Sequence, residues 1–230
     1  MTYAMSDLHG RYDLYIEMLE KIKFGENDTL YILGDFVDRG DEGLKIVLDL
    51  AKRDNVIPLM GNHDFLALTV LSSLDREIRP GELADIRYLI DSWKVDGGTA
   101  TYNEYKKLSR EDRKLALTTM DSFRHYAEVK IGEREFVLSH GGIRDYSDDR
   151  LLSDYMIEDL TFFREDYSKS KFAKHGKYLV TGHTPTVAIA GAYEGKIYKN
   201  KDHIAIDCGA VFGYGLGCIC LDTMEEFYVK

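Results

Sequence analysis

Thr29-Leu30-Tyr31-Ile32-Leu33-Gly34-Asp35-Phe36-Val37-Asp38-Arg39-Gly40 decides the reading of this chain. Its first five residues are uncharged and apolar, too short for a helix, and read as a buried strand. Gly34-Asp35 ends that strand and opens a loop holding two acids and an arginine. The neighbourhood repeats the pattern. Thr2–Met5 is a short apolar strand, and Asp13–Lys23 carries Leu14, Met18, Leu19 and Ile22 at helical spacing. Asp41–Arg53 places Leu44, Val47, Leu48 and Ala51 on one face, Val56–Met60 reads as a third strand and Phe65–Leu74 as a third helix. This β-α-β-α-β-α rhythm predicts a parallel sheet covered by helices.

Residues 75–125 are charged and helical in pattern, with breaks at Pro80-Gly81 and Gly97-Gly98. Ser109 followed by Glu111 and Asp112 reads as a capped helix start. The stretch is expected to be a helical insertion over one edge of the sheet, as scaffold or as lid. Beyond it the period changes to that of strands. Tyr126–Ile131 and Glu135–Ser139 form a hairpin around Gly132-Glu133, followed by a loop and helix from Asp145 to about Tyr167. Further strands are expected at Tyr178–Thr181, Val187–Ala190, Lys196–Tyr198, His203–Asp207, Gly217–Asp222 and Glu225–Val229. The fold class is therefore α/β, becoming α+β in the second half: two packed mixed β-sheets flanked by helices. No linker separates the halves, so residues 1–230 are expected to form one domain.

Composition narrows the function. The chain has 230 residues, 40 acids against 30 bases and a formal net charge of −10. Such a surface repels duplex nucleic acid and anionic membranes, so neither is an expected partner. No basic segment leads into an apolar run at the N-terminus, and no apolar stretch approaches membrane-spanning length, so a cytoplasmic location is expected. Cys208, Cys218 and Cys220 form no CxxC pair. They read as buried reduced thiols, with a redox or zinc role as the alternative.

Five polar segments interrupt the apolar pattern, each at the end of a strand. They are Ser6-Asp7-Leu8-His9-Gly10, Gly34 to Gly40, Gly61-Asn62-His63-Asp64, Ser139-His140-Gly141-Gly142 and Thr181-Gly182-His183-Thr184. Ligands of α/β sheets bind at the carboxyl ends of strands, so the five can converge on one point. Their donors are carboxylate, imidazole and amide, from Asp7, His9, Asp35, Asn62, His140 and His183, without a thiolate. Alternation along an extended strand is expected to send Asp7 and His9 to the same side. Acids and histidines crowded into one cavity are costly to bury unless divalent cations relieve them. Six ligands exceed the needs of one zinc ion and suit two metals sharing a carboxylate.

In these motifs, with Gly-His-Thr-Pro at 182–185 and Ile-Asp-x-Gly-Ala-Val-Phe at 206–212, the sequence resembles the calcineurin-like metallophosphoesterases. Within them it is similar to the bacterial and phage serine/threonine protein phosphatase branch. Symmetrical diadenosine tetraphosphate hydrolases share the same motifs. The resemblance spans roughly residues 2–222, close in 2–66 and 178–217 and loose in 75–125.

The resemblance implies roles. Asp7, His9 and Asp35 would hold one metal, and Asp35, Asn62, His140 and His183 the other, with Asp35 and a hydroxide bridging. His63, paired with Asp38, would stand beside the leaving-group oxygen, and Arg39 would bind phosphate oxygens. Arg164 is the expected second phosphate-binding arginine, with Arg144 as competitor; Asn62 is a further expected substrate contact, and Tyr214 is either another or a surface-loop tyrosine. The implied activity is hydrolysis of phosphomonoesters, phosphoserine and phosphothreonine in proteins above all, by direct attack of the bridging hydroxide. The alternative is symmetrical dinucleoside polyphosphate hydrolysis. Asp64 supports it, because eukaryotic protein phosphatases usually carry Glu there. Two divalent ions are expected, Mn²⁺ first, with Fe or Zn as alternatives. A metal-binding protein without catalysis is disfavoured by the intact His63, Asp38 and Arg39. Trp93 with Gly97-Gly98 resembles a feature of bacterial relatives and is expected to anchor the insertion. His125, His175 and His203 are assigned to surface or core.

Overall fold

The computed structural model describes residues 1–74, 81–172 and 175–230. Strands β1 (Thr2–Met5), β2 (Thr29–Ile32) and β3 (Val56–Pro58) run parallel, alternating with helices α1 (Tyr12–Lys21) and α2 (Gly43–Leu50). Strands β9 (Leu216–Cys220) and β10 (Glu226–Val229) join antiparallel beside β1, giving the order β10-β9-β1-β2-β3. The second sheet has the order β4-β5-β6-β8-β7, from Tyr126–Ile131, Arg134–Ser139, Lys177–Thr181, His203–Ala205 and Tyr198–Asn200 respectively. Its β5, β6 and β8 are mutually parallel.

Side-chain alternation sorts the core into layers. Tyr3, Met5, Leu30, Ile32, Cys218 and Cys220 face α1, α2 and α3 (Asn62–Leu74). Their neighbours Ala4, Leu33 and Ile219 turn the other way and meet Phe136, Leu138, Val180 and Ile204 of the second sheet. The two sheets therefore pack face to face. Val137 and Leu179 cover the outer side with α7 (Ile157–Thr161).

The insertion is helical, as expected: α4 (Leu83–Trp93), a π turn at Lys94–Gly98, α5 (Thr99–Lys107) and α6 (Arg110–Asp121). The expected Ser109 cap is present, its hydroxyl accepting from the Asp112 backbone N–H at 3.0 Å. The Gly97-Gly98 break is the π turn, where Gly97 has φ of 108°; Pro80 lies outside the described residues. Trp93, Tyr105, Ala116 and Met120 join the helical-side core, so the insertion is a second helical layer. It also reaches the sheet edge. The Arg124 N–H donates to Pro58 O at 3.1 Å, and the Met60 N–H donates to Arg124 O at 2.7 Å.

Several expectations are corrected. Helix α3 begins at Asn62, not Phe65, so Asn62 and His63 occupy a first helical turn. Val187–Ala190 is no strand; a 3-10 turn covers Thr186–Ala188, with the Ala188 N–H bonded locally to Pro185 O. The expected helix between Asp145 and Tyr167 shrinks to a 3-10 turn at Leu152–Asp154 and α7. The strand expected at Lys196–Tyr198 lies at Tyr198–Asn200, closing a short hairpin with β8. The three cysteines are free and buried, and burial pushes the Cys208 and Cys218 thiols up.

Leu138 is fully buried between the sheets. Leu138→Ala is expected to cost about 3 kcal/mol in chemical denaturation, the transfer term plus the cavity term; a loss under about 1 kcal/mol would contradict the closed inter-sheet layer. His203 lies in the same sheet, stacked on Tyr167 at 4.7 Å and 2.8 Å from Thr181 Oγ1. Burial pushes its imidazole down to about 4. Its unfolded counterpart titrates near 6.5, so the unfolded chain takes up the proton first and stability falls as pH drops from about 6.5 towards 4. His203→Gln is expected to flatten that limb of a stability–pH curve, and an unaltered limb would refute the assignment.

Candidate active site

The five motif loops leave the carboxyl ends of β1, β2, β3, β5 and β6. They are held against one another by backbone hydrogen bonds. The Asp7, His9 and Gly10 N–H groups donate to Gly34, Asp35 and Phe36 carbonyls at 3.1, 2.8 and 2.8 Å. Gly141 N–H donates to Leu160 O of α7 at 2.8 Å, fixing the His140 loop. Gly34, at φ 83°, lets the loops meet, since a Cβ there would lie 2.6 Å from Gly61 Cα and 2.7 Å from His140 Nδ1. The Asp64 carboxylate ties the second loop to the start of α3, accepting from Asp35, Phe36 and Gly61 N–H groups at 2.7, 2.9 and 3.0 Å.

Strand alternation does not aim the Asp7 and His9 side chains. Both residues are left-handed, with φ of 56° and 42°. Asp35, Asp38, Arg39 and His183 share that conformation, with φ between 56° and 70°. Non-glycine residues adopt it at a cost of about 1–3 kcal/mol each and persist where surrounding bonds over-determine them. The chain has left the strand and turns back, so the side chains are aimed by loop geometry.

Asp35 lies between two clusters. Ligand atoms of Asp35, His140 and His183 lie within 4.8 Å of one another, as do those of His9, Asp35 and His63. His140 Nε2 is 3.3 Å from Asp35 Oδ1 and 3.1 Å from Asn62 Oδ1, and His9 Nε2 is 3.5 Å from Asp35 Oδ2. Backbone carbonyls hold the other ring nitrogens: His9 Nδ1 donates to Val37 O at 2.9 Å and His140 Nδ1 to Leu33 O at 2.6 Å. Each ring thereby turns its Nε2 into the cavity. Asp7 stands outside both clusters, its carboxylate accepting from the Ser6 hydroxyl and from His183 N–H at 3.0 Å.

Electrostatics shows a cavity short of positive charge. Burial pushes Asp35 up, but His140, His63 and His9 outweigh it and hold the carboxyl well below its ordinary range. Burial pushes Asp7 up to about 6. Burial lowers His140, yet Asp35 and Asp7 raise it to about 10. Burial drives His9 and His183 down to about 3, so both remain neutral ligands at pH 7. His183 Nε2 is buried without a hydrogen-bond partner. An orphaned imidazole nitrogen, a shared carboxylate and purely oxygen and nitrogen donors fit divalent cations on either side of Asp35.

The remaining predicted residues surround a cleft of about 160 Å³ lined by Asp35, Asn62, Arg39, His63, Arg164 and His183, together with Asp96, Pro185 and Phe212. His63 Nδ1 lies 2.9 Å from Asp38 Oδ2. Burial lowers His63, but the Asp35 charge and the Asp38 hydrogen bond raise it above its ordinary value. Arg39 spans the mouth, its Nη1 and Nη2 each 2.8 Å from His9 Nε2 and His63 Nε2. Arg164 donates to His183 O and Thr184 Oγ1 at 2.8 and 3.0 Å. Arg144 lies away from the cleft, with its Nε 3.7 Å from Asp159. Tyr214 does not line it either; its ring faces Gly209, and Phe212, two residues earlier, takes the cleft wall. The Arg39 guanidinium stands 5.7 Å from the Phe212 ring centre. Asp96 had no signal in the sequence; Phe212 ends the Ile-Asp-x-Gly-Ala-Val-Phe motif, which pointed to it only as part of the resemblance.

The profile of the calcineurin-like phosphoesterase family matches residues 2–212. The chain belongs to that family. It is 28% identical over 148 residues to serine/threonine-protein phosphatase 2 of Salmonella typhimurium, covering 64% of this chain and 59% of that protein. To a symmetrical bis(5'-nucleosyl)-tetraphosphatase of Delftia acidovorans it is 36% identical over 86 residues, covering 36% of this chain and 31% of the relative. Those alignments span under two thirds of the relatives' lengths. A symmetrical bis(5'-nucleosyl)-tetraphosphatase of Nitrosococcus oceani aligns over 97% of this chain and 94% of its own, at 27% identity. In fold, the chain superposes on a serine/threonine phosphatase from Saccharomyces cerevisiae with a TM-score of 0.62, at 14% identity and covering 100% of this chain and 80% of the other. It superposes on a metallophosphoesterase from Sphaerobacter thermophilus with a TM-score of 0.53, at 15% identity and 100% and 87% coverage.

The family uses a dimetal centre, and the clusters of this calcineurin-like phosphoesterase predict its stoichiometry. Asp35 belongs to both clusters and His9 to one. Calorimetric titration with Mn²⁺ is expected to show two sites in the wild type, loss of both in Asp35→Ala, and loss of one in His9→Ala. Equal effects of the two variants would place Asp35 outside the shared position.

Proposed function

We propose that this protein hydrolyses phosphomonoesters, phosphoserine and phosphothreonine in proteins above all. The observation that carries the reading is the cleft in which Arg39, Arg164 and the His63–Asp38 pair face the two donor clusters. Its volume of about 160 Å³ is small beside ordinary ligand pockets of about 300–1,000 Å³, and suits a phosphoryl group with little else enclosed. The substrate's remainder then lies outside, as a peptide does.

Bound at Asp35 and its neighbours, two divalent cations would supply a nucleophile at neutral pH and neutralise the phosphoryl oxygens. The chain's own groups do the rest. Arg39 and Arg164 offer planar donor forks to the oxygens. Arg39 Nη1 and Nη2 lie 2.8 Å from the Nε2 atoms of His9 and His63, and the proposed phosphate draws the guanidinium off them, freeing His63 Nε2 to carry a proton. His63, raised by Asp35 and Asp38, holds a proton for the departing oxygen. No serine or cysteine nucleophile lines the cleft among the described residues.

Manganese is the proposed metal, since the donor set contains amide and carboxylate oxygen beside imidazole. A reducing, cytoplasmic location is supported by three free buried thiols. No described helix is long and apolar enough to cross a membrane. The acidic exterior favours a phosphoprotein or small phosphorylated substrate over nucleic acid or membrane as partner.

Symmetrical dinucleoside polyphosphate hydrolysis is the second reading. The Nitrosococcus relative, aligned along nearly its whole length, supports it. Side-by-side assays with Mn²⁺ on a phosphoserine peptide and on diadenosine tetraphosphate separate the two. The peptide is expected to have the higher kcat/KM; a dinucleotide ahead by about a hundredfold, or about 2.7 kcal/mol in transition-state binding, would reverse the order.

A further inference from the structure

Asp38 is completely buried, and its carboxylate is claimed from both sides. Oδ2 accepts from His63 Nδ1 at 2.9 Å and from Trp93 Nε1 at 2.8 Å. Oδ1 accepts from the Thr101 hydroxyl at 2.7 Å, and that hydroxyl accepts in turn from the Asp38 N–H at 2.8 Å. Trp93 and Thr101 come from the insertion, at the end of α4 and the start of α5, and both are buried.

The turn between those helices holds the adjoining backbone as well. Gly97 O accepts from the Arg39 N–H at 3.0 Å. Asp38 and Arg39 are consecutive left-handed residues, with φ of 69° and 70°, and neither is glycine. Gly97, at φ 108°, lies against Arg39, where a Cβ would come 2.8 Å from Arg39 Cγ. Gly98 lies beneath the Trp93 ring, where a Cβ would come 2.5 Å from Nε1. Three spaced features of the insertion, Trp93, Gly97-Gly98 and Thr101, thus converge on two residues of the second motif loop.

We propose that Trp93 and Thr101 are positioning residues that lock the Asp38 carboxylate, and through it the His63 ring, against the leaving-group side of the cleft. The insertion is then part of the active site. A carboxylate with one partner can rotate about its own bond. With one oxygen bound to Thr101 and the other shared by Trp93 and His63, it has a single orientation, and the ring it holds is fixed too. The tryptophan N–H and threonine hydroxyl also satisfy a buried charge that would otherwise be costly. The inference rests on the phosphomonoesterase reading for its kinetic consequence, and on geometry alone for the clamp.

Two measurements test it. The first needs no activity: in ¹⁵N-labelled protein the His63 Nδ1–H proton, assigned by its loss in His63→Asn, reports the hydrogen bond to Asp38. Trp93→Phe and Thr101→Val are expected to shift or broaden that resonance, and Thr101→Ser to recover it. The second is kinetic, with Mn²⁺, on a phosphoserine peptide and on p-nitrophenyl phosphate, whose leaving group needs little protonation. Trp93→Phe is expected to lower kcat on the peptide by about tenfold or more with KM nearly unchanged, and to lower it on the aryl ester by under about threefold. In an Asp38→Asn background the same substitution is expected to add under about twofold. An unmoved His63 resonance, equal losses on both esters, or full additivity with Asp38→Asn would overturn the proposal. A wild type inactive on both esters would overturn the functional reading, and the resonance would still decide the clamp.

Discussion

The structure depends on a buried carboxylate that needs positive charge. Asp35 sits at the junction of two clusters, within reach of His9, His63, His140 and His183. Removed from water, an anion is stable only if paired. His9 and His140 are held by backbone carbonyls with Nε2 aimed inward, His63 is held by Asp38, and the imidazoles answer that demand in part. Asp35 and Asp7 raise His140 against its burial, while burial drives His9 and His183 down. The cavity is thereby arranged for cations, and the guanidinium of Arg39 already lies across two of the ring nitrogens.

The face-to-face sheets make this convergence possible. Strands β1, β2 and β3 end on one side of the shared apolar layer, and β5 and β6 end on the other. All five discharge their loops at the same rim, so donors more than a hundred residues apart in sequence meet at Asp35. The cost appears as left-handed backbone at six residues of these loops, Asp7, His9, Asp35, Asp38, Arg39 and His183. Glycines at 34, 61 and 182 keep the loops close enough, and the Asp64 carboxylate ties loop to helix. At that rim Arg39 and Arg164 both line the cleft beside Asp35.

Much of this was legible from the chain. The parallel strands were visible because short apolar runs alternate with helical periods, and the five loops because polar residues and glycines end each run. The donor residues were legible as types, since carboxylate, imidazole and amide without thiolate point to hard or borderline cations. What misled were places where tertiary contacts override local pattern. The apolar residues at 187–190 read as a strand, but local bonding to Pro185 closes them into a turn. The Asp7–His9 pair looked extended and is in fact left-handed. Tyr214 was the conspicuous aromatic in its loop, yet consecutive turns at Gly209 and Gly213 bring Phe212 to the cleft.

The sequence by itself determined the fold class, the family and the residue types gathered in the five loops, because those depend on residue type and spacing along single segments. The tertiary structure decided which atoms share Asp35, which arginine lines the cleft, and that Trp93 and Thr101 of the insertion grip Asp38. Those facts depend on how distant segments approach, and nothing in the spacing of Trp93, Gly97-Gly98 and Thr101 names the carboxylate they meet. An indole N–H and a threonine hydroxyl are ordinary residues in a sequence; only the fold places both within hydrogen-bond distance of one buried acid.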